Sequence, residues 1–259
     1  MAPVPEKTTT GNLFLDHLPP QVLAAIRPSL TFASFRRGET IFESDAAYQR
    51  VLFPIGSIVS IVLEMLDGST AEVGLIGREG MTGLSIVLGQ AAAQQRAIVQ
   101  VPDSAQCLSV SDLRDLIERE PELKASMLRY AQATINTGTY LSACNSLHAT
   151  NERCARWLLM AHDRVSDDVI LLTQEFLSQM LGVQRTGVNV AAGALQEAGF
   201  ISYARGHITI RNRRGLESAA CECYERIDQA WQTVMGYSTK KTSWHSAHRA
   251  HAIHADGQA

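Results

Sequence analysis

The chain has 259 residues, of which 46% are hydrophobic and 19% charged, and this is enough material for two domains with cores of their own. No apolar run approaches the roughly 18–20 residues of a membrane span, and the N-terminus lacks the apolar core of a signal peptide, so we expect a cytoplasmic protein. Five cysteines without framework spacing are typical of reduced thiols. The formal net charge of −3 excludes a basic protein overall, but it leaves room for a local basic face.

The N-terminal part of the chain is predicted to contain a short arm and a β-rich domain. Pro3 and Pro5 indicate a flexible arm over residues 1–11. A candidate strand that contains Phe32 and Phe35 stops at Gly38, and many short strands separated by turns are typical of an antiparallel barrel or sandwich. The other predicted strands are Thr40–Phe42, Val51–Pro54, Ser57–Met65, Thr70–Val73, Ala97–Val101 and Ala105–Val110, with a hairpin turn at Asp67-Gly68.

Helical spacing replaces the strand pattern after Val110. Ser111 is the predicted N-cap of a short helix, and Pro121 separates that helix from a longer one over residues 121–147. The long helix either packs on its own barrel or pairs with the same helix of a second copy, and its periodicity alone leaves both arrangements open. Its apolar stripe consists of Leu123, Met127, Tyr130, Ala131 and Thr134.

Residues 148–236 are predicted to form a C-terminal domain. A helix from about Thr150 to Asp163 is followed by a polar stretch to Asp168, which we expect to act as a hinge. Beyond residue 236 the chain is polar and alanine-rich, so a disordered tail is predicted over residues 237–259.

A helix-turn-helix is predicted directly after the hinge. Thr173 is the expected N-cap of a first helix over residues 174–181, and Gly182 supplies the turn. Val188 is the buried β-branched residue that the second helix needs where the two helices cross. The second helix is expected to run from Gln184 or Arg185 to Ala198.

The start of the second helix and the hairpin after it carry the candidate DNA contacts. The N-terminal part of such a helix meets base edges in the major groove, where Arg pairs with guanine and Gln or Asn with adenine. Residues 200–203 and 207–210 form a predicted wing, and its arginines suit phosphates. The alternative is that these side chains are ordinary solvent-exposed residues at a helix start and in a loop. The candidates are Thr173, Gln184, Arg185, Thr186, Asn189, Arg205, Arg211 and Arg213, with Arg214 beside them.

The segment LTQEFLSQMLGVQRTGVNVAAGALQEAGFISYARGHITI (Leu172 to Ile210) resembles the DNA-binding signature of the Crp/Fnr family of bacterial transcription regulators. The resemblance extends over roughly residues 12–227. It implies an α+β fold with an antiparallel β-roll of the cyclic-nucleotide-binding type over residues 12–120, a dimerisation helix over residues 121–147 and a winged helix-turn-helix. It also implies a homodimer on near-palindromic double-stranded DNA, with RNA polymerase as a further partner and no membrane. The alternative is a metabolite- or cyclic-nucleotide-binding module whose helix-turn-helix serves protein contacts.

The same resemblance places a candidate effector pocket at Gly80, Met81, Thr82, Gly83, Gln95 and Arg96. In cyclic-nucleotide members of the family a glutamate takes the ribose hydroxyl and an arginine takes the phosphate. Here Met81 stands at the glutamate position, and Gln95 and Arg96 stand where an Arg-Ser pair is usual. We therefore do not expect cyclic-nucleotide binding, and the effector stays open. An iron–sulfur cluster is not expected because no cysteine precedes Cys107, and haem on His17 or His148 is not expected either.

Other chemistry-bearing residues give weaker signals. Cys221 and Cys223 are predicted to be structural, because side chains two residues apart on a helix point in different directions. The histidines at positions 245, 248, 251 and 254 are attributed to the tail, so no metal site is predicted. No Ser-His-Asp, HExxH or P-loop pattern is present, which argues against an enzyme.

Overall fold

The computed structural model describes residues 9–204 and 206–241. Residues 1–8 of the predicted arm, Arg205 of the wing and residues 242–259 of the predicted tail lie outside this part of the chain. The N-terminal domain begins with two helices, α1 (Leu13–Asp16) and α2 (Pro20–Ile26). Its strands are β1 (Thr31–Ser34), β2 (Thr40–Phe42), β3 (Arg50–Pro54), β4 (Ile58–Glu64), β5 (Thr70–Ile76), β6 (Arg96–Val101) and β7 (Ser104–Ser109).

The strands form two antiparallel sheets, as the turn-rich sequence predicts. One sheet has the order β1-β7-β3 and the other β2-β6-β4-β5. The predicted hairpin turn lies between β4 and β5, where Gly68 has a φ of +80° that favours glycine. Met65 N donates to Ser69 O across this turn at 2.8 Å. The α+β fold class and the antiparallel β-rich N-terminal region are therefore confirmed.

Two helices connect this domain to the rest of the chain: α3 (Val110–Arg119) and α4 (Pro121–Leu147). The predicted break at Pro121 is confirmed, because Pro121 occupies the first turn of α4. The predicted N-cap is wrong: Ser109, not Ser111, caps α3 by accepting a hydrogen bond from Asp112 N at 3.0 Å. Strand β7 ends at Ser109 in an extended conformation, and this conformation places the hydroxyl over the first turn of the helix.

The C-terminal domain contains the predicted helix-turn-helix and wing. Strand β8 was not predicted; it forms a sheet of order β8-β10-β9 with the wing hairpin. The elements are α5 (Thr150–His162), β8 (Val169–Leu171), α6 (Gln174–Leu181), α7 (Arg185–Glu197), β9 (Ile201–Ala204), β10 (His207–Ile210), α8 (Arg213–Ala219) and α9 (Cys223–Met235).

The two domains share one continuous core, which corrects two boundaries. Helix α9 packs on α4, and Trp231 Nε1 donates to Thr137 Oγ1 at 2.9 Å. Tyr237 and Thr239 are buried, so the described start of the predicted tail, residues 237–241, is folded against the molecule. Residues 163–165 of the predicted hinge are buried as well, because Asp163 and Arg164 form internal ion pairs.

None of the helices in residues 9–204 and 206–241 combines the length and apolarity that a bilayer span requires.

Candidate nucleic-acid interface and internal cavity

Local sequence features fix the crossing of α6 and α7. Thr173 caps α6, since its Oγ1 accepts a hydrogen bond from Phe176 N at 3.2 Å. Gly182 ends α6 with a φ of +62°, in the left-handed region that favours glycine. Leu177 and Val188 are fully buried between the helices. These contacts leave the N-terminal turns of α7 on the surface of the domain.

The exposed face of α7 contains the four predicted base contacts. Gln184, Arg185, Thr186 and Asn189 are all exposed at or near the start of the helix. The sequence analysis missed Val190, which lies beside them and is 74% exposed. An exposed aliphatic side chain on a reading helix suits the methyl group of thymine. The sequence feature that could have identified it is a valine on the polar face of a helix whose opposite face carries the regular apolar stripe.

Arg185 forms an ion pair with Glu175 of α6, and both side chains are more than half exposed. A surface pair of this kind contributes only about 0.2–1 kcal/mol, so the guanidinium can exchange its partner for a base or a phosphate at small cost. Thr173, Glu175 and Arg185 also line a surface cleft of about 400 Å³, together with Tyr203 and Gly206 of the wing. The cleft brings two predicted contact residues, Thr173 and Arg185, together beside the wing.

The wing arginines have different environments. Arg211 and Arg214 are exposed, as phosphate contacts must be. Arg205 lies outside the described residues. The expectation for Arg213 needs correction, because its guanidinium is held inside the domain by four side chains: His162, Asp163, Tyr224 and Glu217.

The Arg213 network is a structural element of the domain. Arg213 Nη2 donates to Asp163 Oδ1 at 2.7 Å and to Tyr224 OH at 2.6 Å, and Tyr224 OH donates to Asp163 Oδ2 at 2.7 Å. A guanidinium only donates, so His162 Nδ1 is the acceptor of Arg213 Nη1 at 2.7 Å. His162 Nε2 therefore carries the proton and donates it to Asp168 Oδ1 at 2.8 Å. Burial lowers the pKa of His162, in accord with this neutral tautomer.

A cavity of about 660 Å³ lies between the β-roll and helices α4 and α5, and it is open to solvent on the side lined by exposed residues such as Val73, Gly138 and Ser142. Three of the predicted pocket residues line it, namely Met81, Gly83 and Gln95. Gly80, Thr82 and Arg96 are not part of the lining. A Cβ at Gly80 would lie 2.3 Å from Tyr130 Oη, and Thr82 Oγ1 accepts a hydrogen bond from Leu52 N at 2.9 Å, so both residues serve internal packing. Arg96 is half-buried on β6, opposite Val62 of β4.

The glycine-rich loop is held by a tyrosine of the long helix. Met81 N donates to Tyr130 OH at 3.1 Å, and the same hydroxyl donates to Met81 O at 3.0 Å. Asn12 Nδ2 also donates to Gly80 O at 2.9 Å. The loop is thus hydrogen-bonded directly to α4.

Two carboxylates give the cavity its electrostatic character. Glu72 and Glu79 both line it, and each has a buried Oε2 without a hydrogen-bond partner. Burial raises the pKa of Glu72 to about 7, although the Trp157 indole and the Arg164 and Arg156 guanidinium groups act in the opposite direction. Trp157 Nε1 donates to Glu72 Oε1 at 3.0 Å. Neither carboxylate was singled out in the sequence analysis, because nothing in the local pattern around them indicates a cavity.

Acidic groups make the lining a poor fit for the phosphate of a cyclic nucleotide. Such a phosphate needs cationic or N–H donors; of the two lining arginines, Arg164 is paired with Glu79, and Arg156 donates to Met160 Sδ while its Nε has no partner. The unpartnered Oε2 of Glu79 would repel a phosphate, and Glu72 would do so when it is ionised. Met81, which the sequence resemblance aligns with the ribose-binding glutamate of cyclic-nucleotide members, is fully buried.

The two histidines considered for haem have ordinary environments. His17 Nδ1 is hydrogen-bonded to Leu13 O at 2.8 Å, and its ring lies against Tyr237. His148 lies beside Cys223, with 3.6 Å between its Nδ1 and the sulfur.

Comparisons with known proteins agree with this architecture. Residues 152–219 match the family described as the Crp-like helix-turn-helix domain. FixK2 from Bradyrhizobium japonicum has a similar structure, with a TM-score of 0.64 and 17% identity over 74% of this chain and 98% of FixK2. A CRP-family transcriptional regulator from Thermus thermophilus gives a TM-score of 0.56 and 16% identity over 81% of this chain and all of that chain, 100%.

A third similar structure is CLP from Xanthomonas campestris, described as a c-di-GMP-responsive global regulator. Its TM-score is 0.58 at 12% identity, over 74% of this chain and 99% of CLP. Identities this low show a shared fold. No curated protein matches the chain.

Proposed function

We propose that this chain, which has the Crp/Fnr fold and carries a Crp-like helix-turn-helix DNA-binding domain, regulates transcription as a homodimer on a near-palindromic DNA site. The observation that carries the proposal is the exposed start of α7. Four polar side chains capable of base contacts project there, and the exposed Arg211 and Arg214 follow the wing. Phosphate contacts position such a domain and base contacts give it specificity.

A homodimer is supported by the outer face of α4. Leu128 is 44% exposed and Ile135 is 60% exposed, although both lie on a helix whose other side is buried. They are seven residues apart, and the small residues Gly138 and Ser142 continue the same face. Apolar and small residues at heptad spacing are typical of a helix that pairs with its own copy. Pairing of two α4 helices would present two α7 helices to successive major grooves, about 34–36 Å apart.

Signal sensing is assigned to the cavity between the β-roll, α4 and α5. Its walls come from the β-roll, α4 and α5, so a ligand there would contact the elements that orient the DNA-binding domain. The unpartnered oxygens of Glu72 and Glu79 favour a ligand with hydrogen-bond donors, such as hydroxyl or amino groups, over a cyclic phosphate.

The proposed regulator acts on DNA in the cytoplasm and has no catalytic role. RNA polymerase is a proposed partner of the DNA-bound dimer. The alternative is a ligand-binding module whose helix-turn-helix contacts proteins, and it differs from the regulator in one respect: it needs no preference among DNA sequences.

Selection from a random duplex library tests the proposal. We expect enrichment of a site with two-fold symmetry and half-site centres about one helical turn apart, and affinity that falls steeply with salt. The selection is run with and without metabolite pools, so that a ligand-dependent regulator is not missed. Failure to enrich any sequence under all these conditions would contradict the regulator and favour the protein-contact module.

A further inference from the structure

Three cysteines and one histidine converge where the long helix meets the end of the DNA-binding domain. Cys144 lies in the last turn of α4 and His148 directly follows that helix, while Cys221 and Cys223 lie at the junction of α8 and α9. Their sulfur atoms and the ring nitrogen all lie within 4.8 Å of one another. Cys144 Sγ and Cys221 Sγ are 3.4 Å apart, and Cys223 Sγ is 3.6 Å from His148 Nδ1.

This arrangement corrects the sequence-based interpretation of the Cys221-x-Cys223 pair. That interpretation placed both residues within one helix, where side chains two apart diverge. In the structure α9 begins at Cys223, and Cys221 precedes it. The chain direction changes between the two residues, so both sulfur atoms reach the same point. Cys144 and His148 are four residues apart, which places them on one side of the end of α4.

We propose that Cys144, His148, Cys221 and Cys223 bind a single zinc ion through three thiolates and one imidazole nitrogen. Zinc–sulfur bonds of about 2.3 Å in a tetrahedron hold their sulfur atoms about 3.8 Å apart. The Cys144–Cys221 sulfur distance of 3.4 Å is close to this spacing, and every pair of ligand atoms lies within 4.8 Å, so no pair has to close by more than about 1 Å. Three cysteines and one histidine are a common donor set for structural zinc.

The surroundings suit a closed structural site. The three cysteines are buried, and His148 is half-buried. Three thiolates around Zn²⁺ leave one net negative charge, and the buried Arg156 guanidinium lies within electrostatic reach of Cys144. Arg156 Nε has no hydrogen-bond partner. Binding releases the three thiol protons to solvent, so the affinity is expected to rise with pH.

The position of the site indicates what the ion would do. It would join the end of α4, which is the proposed dimer helix, to the start of α9, which packs back along α4. The helix-turn-helix lies between these two attachment points in the sequence. A bound ion would therefore fix the DNA-binding domain against the long helix, and loss of the ion would loosen that attachment.

Metal analysis of the reduced, full-length protein tests the proposal. Protein purified without chelator is expected to hold about one zinc ion per chain, because four ligands complete the coordination of structural zinc. Cys221→Ala and Cys223→Ala are expected to lose it. Cys107→Ala is the matched control: Cys107 is also buried, but it lies on β7 and belongs to the core of the β-roll, so its loss should leave the zinc content unchanged.

Replacement of zinc by Co²⁺ in the wild-type protein gives a readout that does not depend on the variants folding. We expect the visible bands of tetrahedral Co²⁺ and a thiolate-to-cobalt charge-transfer band. The histidines beyond residue 241 cannot produce that band, because no cysteine follows Cys223. Zinc content, cobalt spectra and the alkylation of free cysteines at cell lysis are all measured without DNA. The zinc site can therefore fail while the proposed function stands.

Three results would overturn the zinc site. The first is wild-type protein that stays metal-free after incubation with zinc under reducing conditions. The second is metal that the cluster variants retain, which would place the ion elsewhere. The third is a Cys144–Cys221 disulfide in protein isolated from cells with free thiols blocked at lysis, since an oxidised pair supplies no thiolates.

Discussion

Glu79 of the glycine-rich loop and Arg164 beyond α5 form a buried ion pair between the two domains. Arg164 Nε and Nη2 both donate to Glu79 Oε1, at 2.9 and 2.8 Å, and the two side chains are 5% and 3% exposed. Tyr237 OH donates to the backbone oxygen of Glu79 at 2.7 Å, from the chain segment after α9. The glycine-rich loop is therefore bound to the C-terminal domain through residues near both ends of that domain's sequence.

Arg164→Met tests the energetic role of this pair. Removal of one partner leaves the Glu79 carboxylate buried without compensation, so the free energy of unfolding should fall by about 3–5 kcal/mol. Urea unfolding at fixed protein concentration measures this change. The double variant Glu79→Gln/Arg164→Met should recover most of the loss, because it leaves no unpaired charge. Equal destabilisation in the single and double variants would mean that the pair contributes nothing specific.

Arg213 and Arg214 are adjacent arginines with opposite expected roles. Arg213→Ala removes charged hydrogen bonds to buried Asp163, so we expect a loss of stability on the order of 2 kcal/mol. Arg214→Ala changes an exposed side chain and should alter stability by less than about 0.5 kcal/mol. In DNA binding, Arg214→Ala should weaken affinity for all sequences alike and reduce the salt slope by about 1. Thermal unfolding measures the stabilities, and salt titrations measure the DNA affinities. A larger loss of stability in Arg214→Ala, together with a reduced salt slope in Arg213→Ala, would contradict these roles.

Glu72 should make stability depend on pH. Burial raises the pKa of Glu72 from 4.5 to about 7 in the folded state, so the folded protein holds a proton that the unfolded chain releases at lower pH. The stabilising contribution is complete below about pH 4.5 and is lost as pH rises through 7, by on the order of 3 kcal/mol. Glu72→Gln cannot titrate at this position. The stability of the wild type relative to Glu72→Gln should therefore decline between pH 4.5 and 7, and a pH-independent difference would be inconsistent with a buried carboxyl.

The exposed face of α4 predicts the oligomeric state. Ile135→Asp places a charge in the proposed helix seam, so sedimentation should show monomers at concentrations where the wild type is dimeric. Leu66→Asp is the control, since Leu66 is a fully exposed apolar residue in the hairpin turn between β4 and β5. If Ile135→Asp stays dimeric, or if the wild type is a monomer, α4 is not the interface.

The features that could be predicted from the sequence are those determined by residues close together in the chain. One short motif requires three features, and the structure contains all of them: the N-cap Thr173, the left-handed Gly182 and the buried Val188. The strands of the β-roll follow from alternation and turns. The Arg213 expectation failed because exposure was inferred from neighbouring arginines, whereas a network of side chains up to 51 residues away holds its guanidinium.

Contacts between distant residues could not be predicted from spacing. Glu79 and Arg164 are 85 residues apart, and Cys144 and Cys221 are 77 apart. No period or motif in a single sequence links such positions; only the packing of α9 on α4 and of the β-roll on α5 brings them together. The cavity lining is similar in this respect, since Glu72 and Trp157 come from different domains.

Arg185→Ala tests most directly whether the start of α7 reads DNA sequence. Dissociation constants are measured at one salt concentration for the selected site and for a scrambled duplex. We expect Arg185→Ala to weaken binding to the selected site by about 1–3 kcal/mol and to reduce discrimination between the two duplexes. Equal weakening on both duplexes, or no change on either, would contradict base reading by this helix.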